Sequence, residues 1–198
     1  MNRAISLSRP MPEMTSLIST GERILGLHKV DASARGSLGR LLQPMAEAFH
    51  ELQQMSDDGD GDRRGFFGMR DFYSLLKIMK RLSTEGRYQG ISSEKLTLGV
   101  SRNFGGSARL LERANKLFHS KCLHHSPATR QPHVLQLVKH NLGDFSARHL
   151  LLFTSNSHAL EAIFGAGLLG LAQCEVLMGS QFSEDTSELR LIHQVGLS

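Results

Sequence analysis

Tryptophan, tyrosine and cysteine contribute little to this chain of 198 residues, which has no tryptophan, two tyrosines and two cysteines. Without a set of exposed Trp and Tyr rings, a platform for stacking nucleic acid bases is poorly supported. Cys122 and Cys174 stand far apart in differently patterned segments, so a disulfide framework is not expected. Such cysteine use favours a reducing, intracellular setting, and we expect a cytoplasmic protein.

Long apolar runs are also absent. The longest, such as 150–153 and 163–171, are much shorter than the roughly 20 residues that a membrane helix needs. The first residues, MNRAISLSRPMPEM, include Arg3 and Arg9 but no continuous apolar stretch of the kind found in secretory signals. The sequence therefore predicts neither a transmembrane segment nor a signal peptide.

The composition that is present suits a folded chain. Hydrophobic residues make up 40% and charged residues 21%, which allows a core for one or two small domains. The net charge of +4 is mildly basic, but lysine and arginine are scattered along the chain and form no block. We expect no nucleic acid partner; a basic helical domain that binds nucleic acid stays as a weaker alternative, and it would require strongly salt-dependent affinity.

Apolar residues recur at helical spacing through most of the first 142 residues. Pro44 lies inside one such stripe, where it should either kink the helix or mark a late start. Ser92 or Ser93 should cap the helix that follows. The predicted helices are 13–26, 36–55, 66–82, 92–103, 107–120 and 132–142, the last with Val134, Leu135, Leu137 and Val138 directed inward.

The segment FFGMRDFYSLLKIMK, residues 66–80, is the most specific of these helical patterns. Its apolar face comprises Phe72, Leu75, Leu76 and Met79. Arg70 falls in the first turn, where a positive charge opposes the helix dipole. That position suggests that Arg70 has a role outside the helix. The aromatic residues Phe66, Phe67, Phe72 and Tyr73 are expected to be packing residues.

The pattern changes after residue 148. An apolar run at 149–156, a helical pattern at 157–167 and a second apolar run at 174–180 follow one another, and this order is typical of a parallel βαβ unit. No third strand follows, so the sheet would be incomplete. The tail at 184–195 is predicted to be a helix. The predicted fold class is mainly α with a small C-terminal α/β element.

Two segments resemble metal-binding patterns, but neither completes one. In SDDGDGDRR, residues 56–64, aspartates alternate with glycines, but no glutamate stands at the twelfth position of a calcium loop. A surface linker is the preferred interpretation. Near His119, Cys122, His124, His125 and His133 there is no paired Cys-x-x-Cys or His-x-x-x-His frame for zinc. We expect surface histidines in a loop, with Cys122 in the same loop, and no metal site.

Motifs for a self-contained catalytic site are missing. The sequence has no GxxxxGK[ST] phosphate loop, no GxSxG nucleophile elbow and no HExxH metal motif. The glycines of the segment 103–107 lack the preceding strand and the following lysine that phosphate binding requires. A complete enzyme is therefore disfavoured.

The order of segments resembles the mysterin family, giant RING-finger E3 ubiquitin ligases whose core is a row of AAA+ units. The resemblance rests on MNRAI, GFFGMRDFYSLLKIMK, SRNFGG, RHLLLFTSNSHAL and EVLMGSQFSED, and the last dozen residues fit less well. It implies that 1–12 end an AAA+ large subdomain and that 13–120 form its helical lid, with the linker 56–64 on the surface. Residues 121–147 would connect this lid to 148–198, the incomplete start of the next P-loop-type unit.

The resemblance also implies roles for two arginines. Arg3 is similar in position to an arginine finger, which stabilises phosphate charge in a neighbouring site. Arg70 is similar to a sensor arginine that reports nucleotide to the lid; the alternative for each is a surface or salt-bridged arginine. ATP and Mg²⁺ would serve the full-length family, zinc only its RING domain, and this chain alone would hold no cofactor.

The implied partners are neighbouring AAA+ units of the same polypeptide, a ubiquitin-conjugating enzyme and ubiquitination substrates. On this interpretation the chain, from Met1 to Ser198, is a fragment that contributes a lid and a junction between units. The alternative is a stand-alone, non-catalytic helical interaction protein. The two differ in whether a GK[ST] loop and an acidic strand are encoded upstream.

Overall fold

The computed structural model describes residues 13–27, 36–57, 67–85, 90–106, 108–124, 131–145, 150 and 158–170. Within these ranges 79% of the residues are helical and none is in a strand. The mainly α class is therefore confirmed. The two apolar runs predicted as strands lie outside the described residues, apart from Leu150, which has no regular secondary structure.

Seven helices are found in the described part of the chain. They are α1 (Met14–Leu25), α2 (Ser37–Asp57), α3 (Met69–Thr84), α4 (Ser93–Phe104), α5 (Ala108–Leu123), α6 (Val134–Leu142) and α7 (His158–Gly165). Contacts divide the chain into two compact units, which we call unit 1 (residues 1–132, with α1 to α5) and unit 2 (residues 133–198, with α6 and α7).

The helix boundaries follow local signals. Ser92 is the N-cap of α4, as predicted, because its hydroxyl accepts a hydrogen bond from the Lys95 N–H. Gly26 ends α1 in the left-handed conformation at φ 78°, which glycine adopts without strain. Pro44 lies inside α2, which already begins at Ser37, so the predicted alternative of a late helix start is wrong.

The core of unit 1 is built around α2. This helix packs against α1, α3 and α5, while α4 packs against α3 and α5. The largest fully buried side chains are Phe49, Phe72, Phe118, Leu17, Leu42, Met45, Leu52, Leu75, Leu76, Met79, Leu96 and His119. Burying each large apolar side chain contributes roughly 1.5 to 3 kcal/mol, so this set supplies the main driving force for folding of unit 1.

Two helical glycines allow close approach between helices in unit 1. A Cβ atom built on Gly99 of α4 would lie 2.5 Å from the Met79 Sδ atom of α3. A Cβ atom on Gly21 of α1 would lie 2.6 Å from a Leu42 methyl carbon of α2. The absence of a side chain at these positions lets the facing helices come into contact.

In unit 2, α6 begins at its predicted place with His133 as the N-cap, since the ring accepts a hydrogen bond from the Leu135 N–H. Val138 is buried, but Val134 is 62% exposed, so its predicted inward direction is wrong. Val134 is the first residue of the helix, and helical spacing alone did not reveal that its side chain is left in solvent. The helix predicted between the two apolar runs is present as α7.

No helix in the described ranges combines the length and apolar character needed to cross a bilayer.

Candidate functional site at the start of helix α3

The N-terminus of α3 is capped by an aspartate of its own first turn. Gly68 is the N-cap residue and has no side chain to offer, but its backbone N–H donates to the Asp71 carboxylate over 2.8 Å. A carboxylate in the first turn also interacts favourably with the positive end of the helix dipole. The position of Asp71 is therefore explained by capping, whereas Arg70 beside it makes no such contribution.

Side chains from two other helices hold the backbone on both sides of Arg70. From α2, the Gln53 Nε2 atom donates to the carbonyl oxygen of Phe67 over 2.7 Å, and Gln53 is only 6% exposed. From α4, the Asn103 Nδ2 atom donates to the carbonyl oxygen of Asp71 over 2.9 Å. Because the two acceptors flank Arg70 in sequence, α2 and α4 together fix the start of α3.

Aromatic rings pack beneath this start. Phe67 meets Phe104 edge to face at 4.9 Å, and Phe104 stacks on Phe118 at 5.8 Å. Phe49 stacks on Phe72 at 5.1 Å and on Phe104 at 6.5 Å. These rings bring together the FFGMRD and RNFGG segments, which are far apart in the sequence. Aromatic pairs of this kind contribute roughly 0.5 to 1.5 kcal/mol beyond their burial.

The predicted packing residues differ in burial. Phe72 is fully buried, while Phe67 and Tyr73 are half-buried, and Tyr73 lies 6.1 Å from the Phe72 ring. A packing role is thus confirmed for Phe67, Phe72 and Tyr73. Phe66 lies outside the described residues.

Arg70 lies in the first turn of α3, as predicted, and its side chain is exposed. Ser74 and Lys77 are exposed on the same helix face, four and seven residues further on. Within the described ranges, Arg70 makes no hydrogen bond or ion pair with another side chain. The guanidinium can therefore meet an anion from outside unit 1. Arg3, the second predicted site residue, lies outside the described residues.

Several other cations of unit 1 have partners nearby. Lys121 of α5 forms an ion pair with Glu51 of α2 at 3.0 Å, and Lys80 of α3 donates to the carbonyl oxygen of Ile24 at 3.3 Å. Lys116 pairs with Glu112 at 2.7 Å, and this contact lowers the pKa of the Glu112 carboxyl. The first two contacts join neighbouring helices and the third lies within α5, and none of them involves Arg70.

His119 was expected on the surface, and that prediction is wrong because His119 is fully buried. Its Nδ1 atom lies 2.9 Å from the Asn115 carbonyl oxygen, and its Nε2 atom lies 3.1 Å from the Thr97 hydroxyl and 3.3 Å from the Ser93 carbonyl oxygen. His119 thus links α5 to α4.

Cys122 was expected in a loop but lies in the last turn of α5, where it is buried. Burial, aided by the nearby Glu47 carboxylate, raises the pKa of the Cys122 thiol to about 12. The thiol is therefore protonated at neutral pH and is a poor nucleophile or metal ligand. Among the described residues, no three His, Cys, Asp or Glu side chains lie close enough together to hold a metal ion.

Unit 1 is thus a bundle of helices with an arginine projecting from the start of one of them. No protein-family model matches the chain, and no solved structure matches it.

Comparison with curated proteins finds similarity to E3 ubiquitin-protein ligase RNF213, which is also called mysterin. The mouse protein is 27% identical over 206 aligned residues, and the human protein is 26% identical over 207. The zebrafish protein rnf213-beta is 26% identical over 202. Each alignment covers 98% of this chain, which spans about 4% of the length of these relatives. The resemblance to mysterin is confirmed, and the chain is related to one segment of such proteins.

Proposed function

We propose that this chain is a segment of a mysterin-like AAA+ ATPase and E3 ubiquitin ligase, in which it contributes a helical lid and a junction between units. The observation that carries the proposal is the similarity to RNF213 over 98% of the chain. The packing of the FFGMRD and RNFGG segments against each other at the start of α3 supports it, because both segments belong to the resemblance.

In this proposal residues 13–120, which lie within unit 1, form the lid, and Arg70 is its sensor. The exposed guanidinium contacts a phosphate of ATP that is bound to the large subdomain of the AAA+ unit. Arginine suits this role because its planar donors bind phosphate oxygens in pairs and remain charged at all working pH values. Arg3 acts as an arginine finger on a neighbouring unit, where a cation stabilises developing phosphate charge.

The remaining chemistry belongs to the rest of the polypeptide. ATP and Mg²⁺ bind to a phosphate loop and an acidic strand that this chain does not contain, and zinc is held by a RING domain elsewhere. The partners of the whole protein are a ubiquitin-conjugating enzyme and ubiquitination substrates. Residues 148–198 begin the next P-loop-type unit, and the protein works in the cytoplasm.

The first test is the complete coding sequence. We expect a GxxxxGK[ST] loop followed by an acidic strand to be encoded upstream of Met1 in the same reading frame. If the upstream sequence contains neither, the lid assignment is wrong, and the stand-alone helical interaction protein becomes the better interpretation.

The second test is the effect of Arg70→Ala on ATP hydrolysis by the longer polypeptide. Removing a phosphate contact should raise the apparent KM for ATP roughly tenfold. Lys77→Ala is the matched control, because Lys77 is exposed on the same face of α3 but is placed about 10 Å further along the helix axis. Equal effects of the two substitutions would reject a specific role for Arg70.

A further inference from the structure

The start of α3 is held more firmly than a helix terminus requires. The backbone N–H of Gly68 at the N-cap already donates to the Asp71 carboxylate. Two further contacts reach the same turn from other helices, namely Gln53 of α2 to the Phe67 carbonyl and Asn103 of α4 to the Asp71 carbonyl. These acceptors are backbone atoms, so the contacts fix the course of the chain around Arg70 and do not involve the Arg70 side chain.

From this geometry we infer that Asn103 is a positioning residue for Arg70, and that Gln53 of α2 assists it through its contact with the Phe67 carbonyl. The inference rests on the proposed function, since it assigns Arg70 a phosphate to meet. Asn103 is the last residue but one of α4, and the next residue, Phe104, packs against Phe67. A shift of α4 therefore moves the backbone from which Arg70 projects, so that α4 and the nucleotide contact are coupled.

Positioning of this kind has a kinetic signature. A displacement of about 1 Å at a residue that contacts the substrate can change a rate by up to about a hundredfold, although the displaced residue is itself intact. Asn103→Ala removes the hydrogen bond to Asp71 and leaves the Arg70 side chain unchanged. The effect of Asn103→Ala on the apparent KM for ATP should then depend on whether Arg70 is present.

The experiment is a double-mutant cycle in the longer ATPase polypeptide, read as the apparent KM for ATP. We expect Asn103→Ala to raise KM roughly three- to tenfold, and the Arg70→Ala/Asn103→Ala double variant to match Arg70→Ala alone. Ser101→Ala is the matched control: Ser101 lies on the same helix, donates to Gln131 over 3.2 Å and makes no hydrogen bond to α3. It should lower thermal stability about as much as Asn103→Ala does and leave KM unchanged.

Two results overturn the inference, and they are distinguishable. In the first, Arg70→Ala raises KM, but Asn103→Ala either changes only thermal stability or raises KM by the same factor whether or not Arg70 is present. Asn103 is then not a positioning residue. If Arg70→Ala leaves KM unchanged, the proposed function of Arg70 fails, and no residue is needed to position it.

Discussion

At the residue scale, the two glycines that end the RNFGG segment have different surroundings. A Cβ atom on Gly105 would lie 2.5 Å from the carbonyl oxygen of Ser101, which is backbone and cannot rotate away. A Cβ atom on Gly106 would meet nothing within 4 Å. Gly105 has φ −70°, so its need for glycine comes from this close approach and not from an unusual backbone conformation.

This contrast gives a prediction about stability. Gly105→Ala should destabilise the fold by about 1 to 3 kcal/mol, because the overlap forces the last turn of α4 to shift. Gly106→Ala should be neutral or slightly stabilising, since it only reduces the freedom of the unfolded chain. Urea unfolding followed by circular dichroism measures both changes. Equal stability of the two variants would show that the turn after α4 adapts freely.

At the scale of elements, helical spacing predicted the helices of unit 1 because each has enough apolar residues to define one face. In α3, the predicted positions Phe72, Leu75, Leu76 and Met79 are all fully buried. The contacts that define the candidate site were not predictable in this way. Asn103 reaches Asp71 across 32 residues of sequence, and helical spacing gives no information about which helices pack together.

The interface between α4 and α5 shows a second limit of sequence reasoning. The histidine pattern predicts a surface loop, but His119 lies in the core because α5 continues to Leu123. Its polar atoms are accommodated by Thr97 and by backbone carbonyls. Asn115, one turn earlier on the same face of α5, is 1% exposed, and neither atom of its side-chain amide has a hydrogen-bond partner.

The difference between Thr97 and Asn115 leads to opposite expectations for this interface. Asn115→Ala should stabilise unit 1 by about 1 kcal/mol, because it removes a desolvated amide without breaking a bond and introduces a better helix former. Thr97→Val, which keeps the shape but loses the hydroxyl beside His119, should destabilise by about 1 to 2 kcal/mol. Denaturant midpoints measure both. A loss of stability in Asn115→Ala would contradict this expectation.

At the scale of the whole molecule, unit 1 contains its own core. The fully buried side chains come from α1 to α5, and the packing contacts of α2 and α4 are with helices of the same unit. The site at the start of α3 likewise draws its residues from α2, α3 and α4. Folding of unit 1 should therefore depend on residues before Pro132, where the two units divide.

We accordingly expect a polypeptide of residues 1–132 to unfold in one cooperative transition, since domains with a contiguous core of this size are usually two-state. Phe118→Ala tests whether the core of this polypeptide is packed as in the structure, because Phe118 is fully buried beside Phe104. In a packed core this truncation costs about 3 to 5 kcal/mol and shifts the denaturant midpoint strongly. In a loosely packed globule it would change little. A broad transition that Phe118→Ala does not move would therefore mean that unit 1 needs the rest of the chain, and that the lid is not a self-contained folding unit.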